Sequence, residues 1–314
     1  MRKTVPDFDS TIPDLRPQGD TPLRCCQMVM LRLLKIFDKV CFEAGLSYWL
    51  DAGTLLGAVR HGGFIPWDDD VDVSMPIDDY RRFLQVAPSL LPYDVFLQTK
   101  GSDPAHGVPW AKLRDRFSFM DDPGGPYSYA QGIPMDITPM RVMSRRRHVL
   151  RKLFELMPPY DCRPRWPEAR WSLKHKVYSG AFALLQAAAR PLLRRGPLGR
   201  ALVRYGEGGD RVWAYEPPIE WMQSFPEEIV LPLSSIRFED TVFPCPADPR
   251  RYLELYFGQD YMTPPPDSKR GAHAVPRYMI MGPNPHPSAL CWDDYREKKA
   301  AAAEAAASAK ASRA

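Results

Sequence analysis

The chain predicts a mixed fold of the α/β (α+β) class, and three observations carry that expectation. Apolar residues recur with a helical period across residues 23–44. Short apolar and β-branched runs, bounded by Gly and Pro, recur between residues 46 and 138. Brief helical stretches separate several of those runs, an order that builds a sheet flanked by helices. With 314 residues, 45% of them apolar, the chain can bury a full core in one large domain or two small ones. Its 34 prolines, against a usual ~5% of residues, predict many short elements joined by fixed loops.

Residues 1–22 form a polar arm punctuated by proline. Thr21-Pro22 supplies an N-cap and a first-turn proline for the first helix. Its apolar stripe runs through Leu23, Cys26, Met30, Leu33, Leu34, Phe37, Val40, Cys41 and Ala44, and Gly45 closes it. Residues 46–51 are the first strand and 54–60 a short helix at its end. His61-Gly62-Gly63 turns the chain toward a strand at 70–73, Pro76 stops that strand, and 78–86 is helical. Further strands are expected at 94–99, 108–116 and 133–138.

The most informative stretch holds four aspartates: Asp68, Asp69, Asp70 and Asp72. In Asp70-Val71-Asp72-Val73 the acids alternate with β-branched residues, so a period of two puts both carboxylates on one strand face. Left unpaired, they would repel each other and cost free energy to desolvate. A hard divalent cation removes that difficulty. Mg²⁺, with Mn²⁺ as the alternative, typically pairs one or two carboxylates with substrate phosphates. A lone D-x-D is equally compatible with a solvated acidic turn. A calcium loop is excluded, because its register needs Gly where Val73 stands and Glu where Asp79 stands.

LDAGTLLGAVRHGGFIPWDDDVDVSM (50–75) is followed by DDYRRF (78–83), WAKLRDR (110–116), GIPMDITPM (132–140) and VFPCPADPRRYLELYFGQDYMTPPP (242–266), with Arg270 and His273 beyond. This ordered set resembles the LicD family, which includes the fukutin-related proteins. The resemblance implies a nucleotidyltransferase-like mixed sheet flanked by helices, interrupted by a basic helical insertion. It implies transfer of a phospho-alcohol group from a CDP-alcohol donor to a hydroxyl of a cell-envelope glycan or glycolipid, with CMP leaving. Phosphocholine, from CDP-choline, is the best-known group moved in bacteria, and ribitol phosphate in the fukutin-related branch. On this reading Gly53-Thr54 is the turn beside the metal pair Asp70 and Asp72. Asp136 is the third acid, as metal ligand or base, and Asp68 is a further ligand or a neighbouring acid. Arg60, His61, Lys112, Arg114, Arg270 and His273 are the cations expected to flank the diphosphate. A trimethylammonium would favour an aromatic cage, for which Trp49, Trp67, Trp110, Tyr127 and Tyr129 are available. A nucleotidyltransferase releasing pyrophosphate and a non-catalytic relative binding nucleotide or glycan are the alternatives.

The expected organisation is an arm (1–22), a catalytic core (23–140), a basic helical insertion (141–224), a second part of the core (225–296) and a disordered Ala-rich tail (297–314). Residues 141–211 hold 14 Arg and 3 Lys against 5 acids, a net +12, which leaves −8 for the rest of a chain of net +4. Residues 171–195 have the pattern of a basic amphipathic helix, which suits either a surface helix or the interface of an anionic membrane. Nucleic acid ranks last as a partner, because no binding motif accompanies the charge. No stretch approaches the ~18 apolar residues of a membrane span. The N-terminus lacks the apolar region of a secretory signal. Six cysteines without framework spacing point to a reduced, cytoplasmic compartment, and the basic segment to peripheral contact at the inner face of the membrane.

Overall fold

The computed structural model describes residues 12–121, 129–154, 210–216, 223–270 and 275–279. Helix α1 (Pro22–Ala44) starts and stops on the signals in its sequence. Thr21 is extended and its side chain accepts from the Arg24 N–H, Pro22 fills the first turn, and Gly45 ends the helix in the left-handed region at φ 61°. Its buried stripe includes Met30, Leu34 and Phe37, and Phe37 meets both Tyr48 and Phe83 edge-on. Each such fully buried large side chain stabilises the fold by about 1.5–3 kcal/mol.

Seven strands form one mixed sheet: β1 (Trp49–Leu50), β2 (Asp72–Pro76), β3 (Val95–Gln98), β4 (Ala111–Asp115), β6 (Pro134–Ser144), β7 (Arg211–Tyr215) and β8 (Ser224–Pro226). The order is β1-β2-β6-β4-β3, with β7 on the second half of β6 and β8 beyond it. Among the described residues, only the β2–β6 pair of this sheet is parallel. Strand β5 (Ser118–Asp121) pairs with β11 (Val275–Met279), and β9 (Ser234–Phe238) with β10 (Thr241–Cys245). Helix α1 packs over β4 and β6 and helix α3 (Ile77–Leu90) over β2 and β6, in one cluster with Val73, Ala111, Leu113, Met135 and Ile137. Helix α2 (Ala52–His61) leaves β1 and lies against β2, β9 and α6 (Pro249–Phe257). Two further helices, α4 (Arg145–Phe154) and α5 (Glu227–Val230), flank β7. Among the described residues no helix is long and apolar enough to cross a membrane. The described cysteines, Cys25, Cys26, Cys41 and Cys245, are free and buried.

Three boundaries differ from the expectation. Part of the segment read as an arm is core: Leu15 is buried, and the Arg16 guanidinium is 1% exposed, held by Asp14, Asp115 and the Phe117 carbonyl. The insertion expected from residue 141 falls inside β6, whose last residues pair with β7, so both edges of that segment belong to the main sheet. The strand expected at 70–73 begins only at Asp72, because parallel pairing with β6 starts there and the preceding Val71 carbonyl already accepts from the Asp136 N–H. The basic helix expected at 171–195 and the Ala-rich tail at 297–314 lie outside the described residues.

Candidate functional site

The sheet register assembles the central row of side chains. Parallel pairing sets Asp72 of β2 opposite Asp136 of β6, and antiparallel pairing sets Asp136 opposite Lys112 of β4. Paired residues share a face, so these three stand in a row opposite the apolar face of Val73, Ile137 and Leu113. Lys112 Nζ lies 2.7 Å from one carboxylate oxygen of Asp136 and 3.0 Å from the other. Asp72 has no such partner: among the described residues its carboxylate meets no hydrogen-bond donor, while its backbone N–H donates to Thr54 Oγ1 at 2.8 Å and its carbonyl accepts from the Asp51 N–H at 3.1 Å. Burial holds the Asp72 pKa well above the usual carboxylate value. The charges of Asp70, Asp136, Asp51 and Asp68 push it the same way.

The start of α2 meets this row. Asp51 caps the helix and Ala52 follows at φ 44°, a conformation that a side-chain-bearing residue adopts only when its surroundings enforce it. The enforcement comes from the Asp51 carboxylate, itself 2% exposed. One oxygen accepts from the Ala52 N–H at 2.8 Å and the Tyr252 hydroxyl at 2.7 Å. The other accepts from the Ser74 hydroxyl at 2.5 Å and the Tyr215 hydroxyl at 2.8 Å. Four elements are thereby tied to one side chain: α2, β2, β7 and α6. Gly53 comes next, and a Cβ there would lie 3.0 Å from an Asp68 oxygen and 3.7 Å from an Asp70 oxygen. A glycine therefore lets the helix N-terminus approach the two acids.

Among the described residues, no group of three or more His, Cys, Asp or Glu side chains is drawn together closely enough to hold a metal ion as they stand. The donor chemistry nonetheless fits a hard divalent cation. The side chains crowded beside Gly53 and Asp72 offer carboxylate oxygens, burial and then their mutual repulsion raise the Asp72 pKa, and among the described residues Lys112 engages only Asp136.

The cations expected around a diphosphate divide into two groups. Arg60 and Arg270 both lie over one ring, with guanidinium carbons 6.0 and 4.5 Å from the Trp67 centroid, and His61 meets that ring edge-on at 6.1 Å. Arg60 is anchored by the Tyr261 carbonyl at 2.9 Å, and Arg270 by the Pro265 carbonyl at 2.7 Å and by Asp267. Burial, reinforced by Arg270, lowers the Arg60 pKa, while Asp68 raises it. Burial and then Arg60 likewise lower the pKa of His61. Lys112 belongs to the central row. Arg114 is buried, bonded to Gln98 at 2.5 Å and to the Gly132 carbonyl at 2.7 Å, with its guanidinium over Tyr129. His273 and Tyr127 lie outside the described residues. Of the aromatic residues considered for a cage, Trp49 is wholly buried against Trp213, while Trp67 and Tyr129 already carry arginines.

Asp51, Ser74, Tyr215, Tyr252 and Tyr256 were not singled out from the sequence. Asp51 had a local signal, an N-cap residue directly before a helix. The tyrosines had none, since they come from β7 and α6 and meet Asp51 only through the sheet. Tyr256, half-buried and stacked at 6.3 Å on Phe225, has its pKa raised by burial first and then by Asp51 and Asp72.

Residues 45–144 match the family model described as LicD/FKTN/FKRP, nucleotidyltransferase domain. The chain is similar to the lipopolysaccharide cholinephosphotransferase LicD of Haemophilus influenzae, with 27% identity covering 82% of this chain and 98% of that protein. It is similar over a shorter stretch to the mouse ribitol 5-phosphate transferase FKRP, with 40% identity covering 19% of this chain and 14% of the relative. Mouse ribitol-5-phosphate transferase FKTN is 41% identical over 16% of this chain and 11% of its own length.

Proposed function

The chain belongs to the LicD family, and on that premise we propose that it is a Mg²⁺-dependent phosphotransferase using a CDP-alcohol donor. It moves phosphocholine or a similar phospho-alcohol group to a hydroxyl of a cell-envelope glycan or glycolipid, and CMP leaves. The observation that carries this reading is the row Asp72–Asp136–Lys112, set by strand register, beside which Asp68 and Asp70 close against Gly53 at the start of α2. The activities of the relatives, cholinephosphate and ribitol-phosphate transfer, support the same class of chemistry.

Asp70 and Asp72, with Asp136 or Asp68 beside them, would hold the cation, which when bound neutralises charge developing on the leaving CMP. The acceptor oxygen bonds to the phosphorus bearing the alcohol, the phosphoanhydride P–O bond breaks, and CMP takes the electron pair. The acceptor proton passes to a carboxylate of the row; Asp136, fixed by Lys112, is placed to take it unless it completes the metal set. Arg60 and Arg270, oriented by Trp67 and by backbone carbonyls, engage the diphosphate. The protein's contribution is then mainly positioning and preorganised charge, where a single donor is worth about 3 kcal/mol. The basic segment 141–211 would hold the enzyme peripherally on an anionic cytoplasmic leaflet, at about 1 kcal/mol per nearby Lys or Arg.

Incubation with CDP-choline, CDP-ribitol, CDP-glycerol and CTP, followed by assay of CMP and pyrophosphate, tests the proposal. CMP release that EDTA abolishes is expected. Pyrophosphate without CMP would mean nucleotidyl transfer, and nucleotide binding without turnover would mean a binding protein.

A further inference from the structure

On the far side of the row, the edge strand β3, helix α3 and the approach to β4 enclose a groove of about 740 Å³. That size suits a small ligand or a short stretch of a larger one. Its walls are largely apolar and aromatic, with Tyr80, Tyr93, Phe96 and Trp110 among them, and its two cations are Lys100 and Arg116. The Arg116 guanidinium lies 4.9 Å from the Phe96 centroid and 5.7 Å from that of Tyr93, and among the described residues no carboxylate pairs with it. The Trp110 indole N–H is buried and without a hydrogen-bond partner among the described groups. His106 fixes this segment through a 2.8 Å contact between Nε2 and the Trp110 carbonyl.

Position connects the groove to the chemistry. Phe96, on the groove wall, is the register partner of Arg114, which stands two residues from Lys112 in β4, so this wall lies on the sheet face that carries the row. Strand β3 is two strands, ~10 Å, from the Asp136 strand. The arginines assigned to the donor lie at the opposite end, on and beyond α2, next to β2. In-line displacement puts the attacking oxygen opposite the leaving group. An acceptor facing a donor held at the α2 end must therefore arrive from the β4–β3 end.

The geometry points to the groove as the acceptor site, taking a glycan that carries a carboxylate or phosphate. This inference rests on the transferase reading above. Sugar C–H faces lie against Trp110 and Tyr93, the indole N–H donates to a ring or hydroxyl oxygen, and the acidic substituent meets Arg116, with Lys100 in support. Arginine is the side chain best shaped for such an oxyanion, since its fork donates two parallel hydrogen bonds.

The test is ligand-observed NMR and calorimetric titration of the full chain with a hexuronic-acid disaccharide, its neutral hexose counterpart and inorganic phosphate. CDP-choline is titrated into the wild type in parallel. The acidic disaccharide should bind in preference to the other two. Arg116→Gln should weaken it roughly ten- to a hundredfold, and Trp110→Leu should weaken the acidic and neutral sugars alike. Circular dichroism and the melting temperature establish that each variant is folded. Equal binding of acidic and neutral sugars, phosphate binding as tight as the acidic sugar, no sugar binding, or unchanged affinity in folded Arg116→Gln would each overturn the inference. Sugar binding without CDP-choline binding would instead count against the donor reading while leaving a glycan groove.

Discussion

Replacing Asp72 by Asn should make the metal-free protein more stable while abolishing turnover. Asp72 and Asp136 are register partners on adjacent parallel strands, and such strands stand ~4.8 Å apart. Two carboxylates at that separation repel by about 3 kcal/mol at an effective permittivity of ~20. Lys112 offsets part of this for Asp136, whereas Asp70 and Asp68 add to it at Asp72. A net gain of about 1–2 kcal/mol is the expected result, or a melting temperature higher by about 2–4 °C per kcal/mol in a chain of this size class. The pH dependence follows from the same shift. A carboxyl whose pKa folding raises binds its proton more tightly in the folded state. Wild-type apo protein thus gains stability as pH falls from the raised Asp72 pKa toward the ordinary carboxylate value, and loses that contribution as pH rises. The advantage of Asp72→Asn should be largest above the raised pKa and should shrink as pH falls below it. Mg²⁺ should reverse the order, stabilising the wild type and not the variant. Thermal unfolding in EDTA and in Mg²⁺ at several pH values measures all of this. A variant less stable than wild type in EDTA, or equal stabilisation of both by Mg²⁺, would refute the reasoning.

Gly53→Ala introduces a Cβ 3.0 Å from an Asp68 oxygen, so turnover should drop by roughly a hundredfold. The helix itself should change in stability by no more than about 1 kcal/mol, and kcat measured beside the melting temperature separates the two effects. Tyr252→Phe removes a 2.7 Å hydrogen bond to the buried Asp51 carboxylate and should cost about 1.5–3 kcal/mol in urea unfolding. Arg16→Met leaves Asp115 buried without its cation and should cost about 3–5 kcal/mol by the same measurement. Arg60→Ala should raise the KM for the CDP-alcohol more than it lowers kcat, because the proposed function sets this arginine, held over Trp67, against the donor diphosphate.

Local physics made α1, α2, α3 and the strands of the acidic motif legible, because their signals are short-range. Thr21-Pro22 and Gly45 bracket α1, His61-Gly62 ends α2, and alternation at Val71 and Val73 marks a strand with a buried face. The same alternation extended the strand back to Asp70, since nothing local says where a partner strand begins. The nature of the acids, and the need for something positive among them, was equally readable from charge alone. What belongs beside what was not. Asp136 is 64 positions from Asp72, and only parallel pairing of β2 with β6 makes the two neighbours. Lys112 and Arg114 are equivalent in the sequence of β4. Yet register gives Lys112 to Asp136, while the packing of Gln98 and Gly132 buries Arg114. Asp51 gathers hydroxyls from Ser74, Tyr215 and Tyr252, separated from it by up to 201 positions. The sequence by itself determined the helices and the acidic motif, because dihedral preference, periodicity and charge act between near neighbours. The tertiary structure decided which acids, cations and tyrosines share a site, because strand register and core packing act between residues that the chain holds far apart.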